Sequence, residues 1–276
     1  MSSKVTEVFE NFADAITEGQ LKPQAKFIAQ MLFGITVGGS VLLSNVGRAL
    51  DEPIKLIHTG RRLSMALGND RLDDELLHDK YLEHVSQKLT KKTVIAVDMS
   101  DVAKPYALMQ EGLSEIWDGS KQEVHDRGWP ILGIEAIPPG RQQIPLLTHL
   151  FSRKVRNEKS DITEIRKGVF RVKDHVPQGC LWVADRGFDG RTYFKVFNDA
   201  NIDWAIRLKT NRNILDRDDV KYNVAKFACR QALPFSAEFT SIQKRKKIKY
   251  TAEFGFVRVG IPDFDNRRYS LVTAWF

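Results

Sequence analysis

Thr93-Val94-Ile95-Ala96-Val97-Asp98 and Cys180-Leu181-Trp182-Val183-Ala184-Asp185 decide how this chain folds. Each is a short run of β-branched and apolar residues, the composition of a buried strand, and each passes directly into an aspartate and a polar turn. Around them the pattern alternates. Trp129 to Ile137 is a further apolar stretch, closed by the turn signal Pro138-Pro139-Gly140. Ser160 to Val172 repeats at helical period, with Ser160 or Asp161 as the cap ahead of Ile162, Ile165 and Val169. Thr192 to Ala200 is helical in pattern and Trp204 to Leu208 is strand-like. Strands alternating with helices predict a three-layer α/β core.

Upstream, from about Lys22 to Leu89, the spacing is helical. Phe27, Ile28, Met31 and Leu32 share one face, Val41, Leu42, Val46, Ala49 and Leu50 another, and Ile54, Ile57, Leu63 and Leu67 continue the pattern. Gly38-Gly39-Ser40 separates the first two helices, with Ser40 as N-cap, and Pro53 and Gly68 mark further breaks. Arg48, Lys55, Arg61 and Arg62 fall on or beside the polar faces, where they serve either a helix-turn-helix-like grip on DNA or a solvated surface. Downstream of Asn211, Phe235 to Phe239, Ile248 to Val259 and Tyr269 to Trp275 predict an antiparallel β module, with Lys244-Arg245-Lys246-Lys247 as a short basic run. The expected organisation is a helical module over 1–90, a catalytic core over 91–210 and a β insertion over 211–276.

A hydrophobic fraction of 42% and a charged fraction of 28% in 276 residues exclude disordered and fibrous classes. The net charge of +7 biases the chain toward a polyanionic partner, since Lys and Arg release counterions when they meet phosphates. Cys180 and Cys229 have no Cys or His at a zinc-ligand spacing and read as small buried residues in a reducing compartment. His125, His149 and His175 lack a partner nucleophile at a recognised spacing. Gly38-Gly39 and Pro139-Gly140 are turns and not phosphate loops. Met1 to Glu10 lacks the order of a signal peptide, and Met31 to Leu43 is too short and too interrupted to span a bilayer. The expectation is a cytoplasmic, nucleoid-associated protein with no membrane partner.

Phosphodiester cleavage needs an activated water or hydroxyl and a neutralised leaving oxygen, and a pair of divalent ions supplies both. Mg²⁺ prefers carboxylate oxygens fixed on rigid elements, and the ends of buried strands provide that rigidity. If the two strands are parallel neighbours, Asp98 and Asp185 emerge at one edge of the sheet. An aspartate after a strand also serves as a turn or cap residue, and Asp101 and Asp189 lie close enough in sequence to be the ligands instead.

Ile95-Ala96-Val97-Asp98-Met99-Ser100-Asp101-Val102-Ala103-Lys104-Pro105-Tyr106-Ala107 resembles the first catalytic block of IS4-type insertion-sequence transposases. Glu111-Gly112-Leu113 leading to Asp118-Gly119-Ser120 is similar to the continuation of that block, and Trp182-Val183-Ala184-Asp185-Arg186-Gly187-Phe188-Asp189 resembles the second. Pro145-Leu146, the Ser160 helix, and Ala205-Ile206-Arg207-Leu208-Lys209 with Arg212 fit in order and spacing. The resemblance implies a ribonuclease-H-like mixed-sheet core, with Asp98 and Asp185 as catalytic and metal-binding members of an Asp-Asp-Glu triad. It further implies two Mg²⁺ (or Mn²⁺) ions and double-stranded DNA, transposon ends and target, as partner; a homodimer on DNA is compatible with it. Arg48, Arg61, Arg62, Lys104, Arg186, Arg207, Lys209 and Arg212 are then the DNA-contact candidates.

The family's third acid belongs to a Tyr-x2-Arg-x3-Glu-x6-Lys helix beyond the β insertion. None of Tyr81, Tyr106, Tyr193, Tyr222, Tyr250 or Tyr269 has an arginine three residues later, and the only glutamates after Asp185 are Glu238 and Glu253, both in strand-like stretches. The sequence therefore predicts a C-terminally truncated transposase, inactive or weakly active. The alternatives are a non-catalytic DNA-binding remnant and a stand-alone ribonuclease-H-like nuclease.

Overall fold

The structure, a computed structural model, describes residues 3–118, 123–140, 142–154, 160–243 and 246–275. Gly119, Ser120, Lys244, Arg245 and Phe276, singled out above, lie outside the described residues. The chain divides into two compact units, Met1–Trp182 and Val183–Phe276.

The first unit opens with five helices, α1 (Ser3–Ile16), α2 (Lys22–Gly38), α3 (Leu43–Leu50), α4 (Leu56–Leu67) and α5 (Asp74–Ser86). The helical pattern was expected from Lys22, and α1 precedes it; Phe9 and Phe12 dock it edge-on against Phe33 and His84. Gly39 ends α2 with a φ of 59°, a conformation that side chains resist, and its N–H reaches back to Ile35 O. Ser40 is not the cap of α3. Its hydroxyl accepts from Leu42 N at 3.2 Å and folds the connecting turn, so the helix starts later, at Leu43. α2 and α3 bend by 93° relative to each other. Gly34 permits their approach, because a Cβ there would collide with Val46. Phe27, Val46 and Leu63 form the shared core, each contributing about 1.5–3 kcal/mol by leaving water.

The sheet follows, with β1 (Val94–Ala103), β2 (Ser114–Asp118), β3 (Glu123–Ile137), β4 (Ile144–Leu150), helix α6 (Asp161–Lys173) and the start of β5 (Leu181–Ala184). β1 does not stop before Asp98. It pairs antiparallel with β3 from Val94↔Ile137 to Ala103↔Gly128. That ladder satisfies the backbone whatever the side chains are, so the polar Asp98, Ser100 and Asp101 stay in the strand. β2 and β4 also pair antiparallel with β3, and β5 flanks β1. Ile95, Val97, Leu132, Ile134 and Ala136 are buried, as are Ile165, Val169 and Val172 of α6. Gly168 brings α6 down onto the sheet, where a Cβ would press on Leu132 and Leu147. Ser160 caps α6 as expected, accepting from Thr163 N. Cys180 is buried, donating to Thr90 O.

A polar clamp fixes α5 in this unit. Arg171 Nε donates to His78 Nδ1 at 2.7 Å, and His78 Nε2 lies 2.7 Å from Leu146 O. A ring nitrogen that accepts from a guanidinium carries no proton, so His78 is neutral with its proton on Nε2. Arg171 also pairs with Asp79, and Tyr81 donates to Pro145 O at 2.6 Å. Burial pushes the His78 pKa below its ordinary value, and the Arg171 charge acts in the same direction, outweighing the Leu146 carbonyl and Asp79.

The second unit begins at the end of β5, passes through a short 3-10 helix (Arg186–Phe188) into α7 (Arg191–Asp199) and returns in β6 (Asp203–Ile206), which lies beside β5. A strand, helix and strand in succession make this part of the sheet a parallel crossover. With the antiparallel strands of the first unit, the order β4-β3-β1-β5-β6 gives the α/β, ribonuclease-H-like mixed sheet that the sequence resemblance implied. There follow a small hairpin of β7 (Asn213–Leu215) and β8 (Lys221–Asn223), helix α8 (Val224–Ala228), and an antiparallel sheet of β9 (Phe235–Gln243), β10 (Lys246–Val259) and β11 (Tyr269–Trp275) in the order β11-β10-β9. Val257, Val259 and Leu271 pack around Ile214 and Val224. The opposite face is apolar and open: Phe239 pairs with Tyr250, Phe235 with Phe254 and Phe256 with Val272, while Phe235, Phe256 and Val272 are 50%, 58% and 54% exposed. Cys229, expected to be buried, is exposed as the C-cap of α8, a helix of only five residues. Among the described residues no single helix is long and apolar enough to cross a membrane.

Candidate functional site

Asp98 sits in the middle of β1, exposed, opposite Gly133 of β3. Its sequence neighbour Val97 is buried on the other face, so the pleat alone turns the carboxylate outward. Gly133 leaves open space across from it; a Cβ there would meet nothing nearer than Asp98 O, at 3.9 Å. Asp101, three residues on, lies on the opposite face of the strand, so Asp98 and Asp101 are not interchangeable. Lys104, exposed just past β1, is held by its N–H, which donates to Arg127 O at 2.9 Å.

Asp185 directly follows β5 and is exposed. Its Oδ1 accepts from Gly187 N at 2.7 Å, which caps the 3-10 helix and orients the carboxylate. A side chain at Gly187 would press on that oxygen, 2.9 Å from the added Cβ. Asp189 is different in kind. Its side chain is fully buried and forms an ion pair with Arg212, its Oδ2 accepts from Lys209 N at 2.6 Å, and Arg212 Nη2 donates to Asp189 O at 3.0 Å. The guanidinium also lies 5.3 Å from the centre of the Phe194 ring. Taking a carboxylate out of water costs several kcal/mol unless the charge is paired and its lone pairs are used. Here the charge is paired with Arg212 and Oδ2 accepts the Lys209 N–H, so Asp189 ties the 209–212 loop to the start of α7.

The basic candidates separate in the same way. Arg212 is only 17% exposed and its charge is matched by Asp189. Arg62 is also committed, with Nη2 donating to both oxygens of Glu52 at 2.8 Å and Nη1 to Gln30 at 2.6 Å. The hydrogen bonds from Arg62 and then Thr59 hold the Glu52 carboxyl below its usual range, against desolvation. Arg48 is exposed on α3 beside Asn45, and Arg61 is exposed on α4. Arg186, Arg207 and Lys209 are exposed in the second unit.

Next to Asp189 the second unit has a cavity of about 270 Å³. Its walls include Arg191, Lys209, Asn211, Arg212, Asn213, Lys221 and Asp263. Arg191 and Lys221 carried no sequence signal, because each becomes a wall residue only when separate turns fold together. Among the described residues no three His, Cys, Asp or Glu side chains gather as a metal-binding set. Glu238 and Glu253 lie within β9 and β10, where the sequence placed them.

No family model and no curated protein matches the chain. Among solved structures it is similar to the Drosophila P element transposase strand transfer complex at 11% identity and a TM-score of 0.23, over 83% of this chain and 55% of that one. The chain thus spans little more than half the length of that protein, and a likeness so slight says nothing about function.

Proposed function

We propose that this chain is a DNA strand-processing protein of the transposase class, with Asp98 and Asp185 as metal-binding carboxylates for cleavage at transposon ends and for strand transfer. The observation that carries this reading is the strand order β4-β3-β1-β5-β6, with an exposed aspartate in the middle of β1 and another directly after β5. Both stand in the sequence blocks that resemble the catalytic blocks of IS4-type transposases. Their donor chemistry suits a hard cation: exposed carboxylates on ordered backbone, one of them already oriented by Gly187 N. Bound Mg²⁺ or Mn²⁺ would activate the attacking oxygen and neutralise the leaving one. Double-stranded DNA is the partner this reading requires, and the exposed Arg48, Arg61, Lys104, Arg186, Arg207 and Lys209 are its contacts.

Glu238 and Glu253 lie in strands β9 and β10 and not on a helix beside the two aspartates. The second reading is a DNA-binding protein without catalysis, which the exposed basic residues alone would support. Incubation of the 276-residue chain with terminal-repeat DNA and Mg²⁺ or Mn²⁺ separates them. Cleavage lost in Asp98→Asn and in Asp185→Asn supports metal chemistry at these residues. Salt-dependent DNA binding without cleavage supports the second reading, and cleavage without strand joining supports a nuclease.

A further inference from the structure

The cavity of the second unit carries positive charge that its own acids do not match. Arg212 is neutralised by the buried Asp189. Arg191 donates to Asp263 O at 2.9 Å and lies 3.7 Å from its carboxylate. Lys209 and Lys221 are exposed wall residues with no acidic partner among the described residues. Two unmatched ammonium groups on one small cavity repel each other, and an anion between them removes that cost. The remaining wall is polar. Asn211 and Asn213 bring amide donors and Pro262 is the one apolar residue, so nothing here suits an apolar ligand.

The loop that presents Lys209 is fixed in advance. Asp189 holds Lys209 N, Arg212 N donates to Lys209 O at 3.0 Å, Asn223 Nδ2 donates to Thr210 O at 2.9 Å, and Val224 N donates to Arg212 O at 2.8 Å. A loop bound from both sides loses little freedom when it takes up a ligand. We propose that this cavity is a phosphate-binding site, the anion held between the Lys209 and Lys221 ammonium groups with the Asn211 and Asn213 amides as further donors. Resting on the DNA reading above, the phosphate is a backbone phosphodiester.

The test uses the full chain, the Lys209→Gln/Lys221→Gln variant, and Lys88→Gln/Lys91→Gln as a control of equal charge change at exposed positions of the first unit. Inorganic pyrophosphate is titrated and followed by phosphorus NMR, with folding of each variant checked by circular dichroism. Saturable binding by the native chain and the control, at least tenfold weaker in the cavity variant, supports the site. Equal binding by all three, or none by the native chain, overturns it. DNA affinity is then measured against salt. A log–log slope about one unit shallower in the cavity variant alone assigns the anion to the DNA backbone. An unchanged slope in a cavity variant whose pyrophosphate binding is weakened assigns it to a free phosphate. A native chain that binds pyrophosphate but no DNA refutes the DNA reading and leaves the cavity standing.

Discussion

Replacing Asp189 by Asn keeps the shape of the side chain and removes its charge. The fully buried carboxylate accepts from Lys209 N and pairs with an Arg212 that is itself only 17% exposed. The asparagine oxygen can still accept from Lys209 N, but its amide then faces the guanidinium with donors, and Arg212 is left without a counter-charge. Breaking a buried pair from one side costs about 3–5 kcal/mol, which for a chain of this size lowers the melting temperature by roughly 2–4 °C per kcal/mol. Asp185→Asn should behave differently. Asn caps as well as Asp, so the bond from Gly187 N survives and stability should change by less than about 0.5 kcal/mol. Urea unfolding of both variants, with Arg212→Met and the Asp189→Asn/Arg212→Met double variant to complete a cycle, measures the contrast. The double variant should recover part of the loss, because the unpaired charge is then gone. An Asp189→Asn protein that is as stable as the native one would refute the structural role given to Asp189 and would make it the better candidate for the site chemistry.

The other expectations concern both units. Asp98→Asn and Asp185→Asn should each abolish metal-dependent cleavage while leaving the affinity for terminal-repeat DNA within about twofold, measured side by side by gel assay and anisotropy. The His78 pKa is lowered in the folded state, so the unfolded chain binds that proton more tightly; its contribution to stability is complete above about pH 6.5 and is lost as the pH falls below it. Urea midpoints between pH 7.5 and 5 should therefore fall more in the native chain than in His78→Gln, and parallel curves would refute the clamp. Gly34→Ala forces α2 away from Val46 and should cost about 1–3 kcal/mol by thermal unfolding, with no change in cleavage.

The core elements were legible where one side chain pattern dominates. The runs at Val94 and Leu181, the Ser160 cap and the three strands after Phe235 all rest on local periodicity and capping. What escaped depends on partners distant in sequence. β1 overran its expected end because β3 supplies hydrogen bonds beyond Asp98; Ser40, by contrast, lost its cap role to a competing local bond from Leu42 N. Of the candidate site the sequence offered two aspartates at expected strand ends; both are exposed, Asp185 directly after β5 and Asp98 inside β1 and not at its end. That Asp189 is structural, and that Arg62 and Arg212 are committed to acids, depends on pairings across 10 to 23 residues that no local motif encodes.

The open aromatic face of the β11-β10-β9 sheet has a colloidal consequence. At low ionic strength a net charge of +7 keeps copies of the chain apart. As salt rises the screening length shrinks to a few ångströms and that repulsion disappears, while contact between exposed Phe235, Phe256 and Val272 side chains is undiminished. The protein should therefore be most prone to self-association at the high-salt end of a DNA titration. Sedimentation across the same salt range fixes where a weakening DNA signal stops reporting on phosphate contacts and begins to report on loss of monomer.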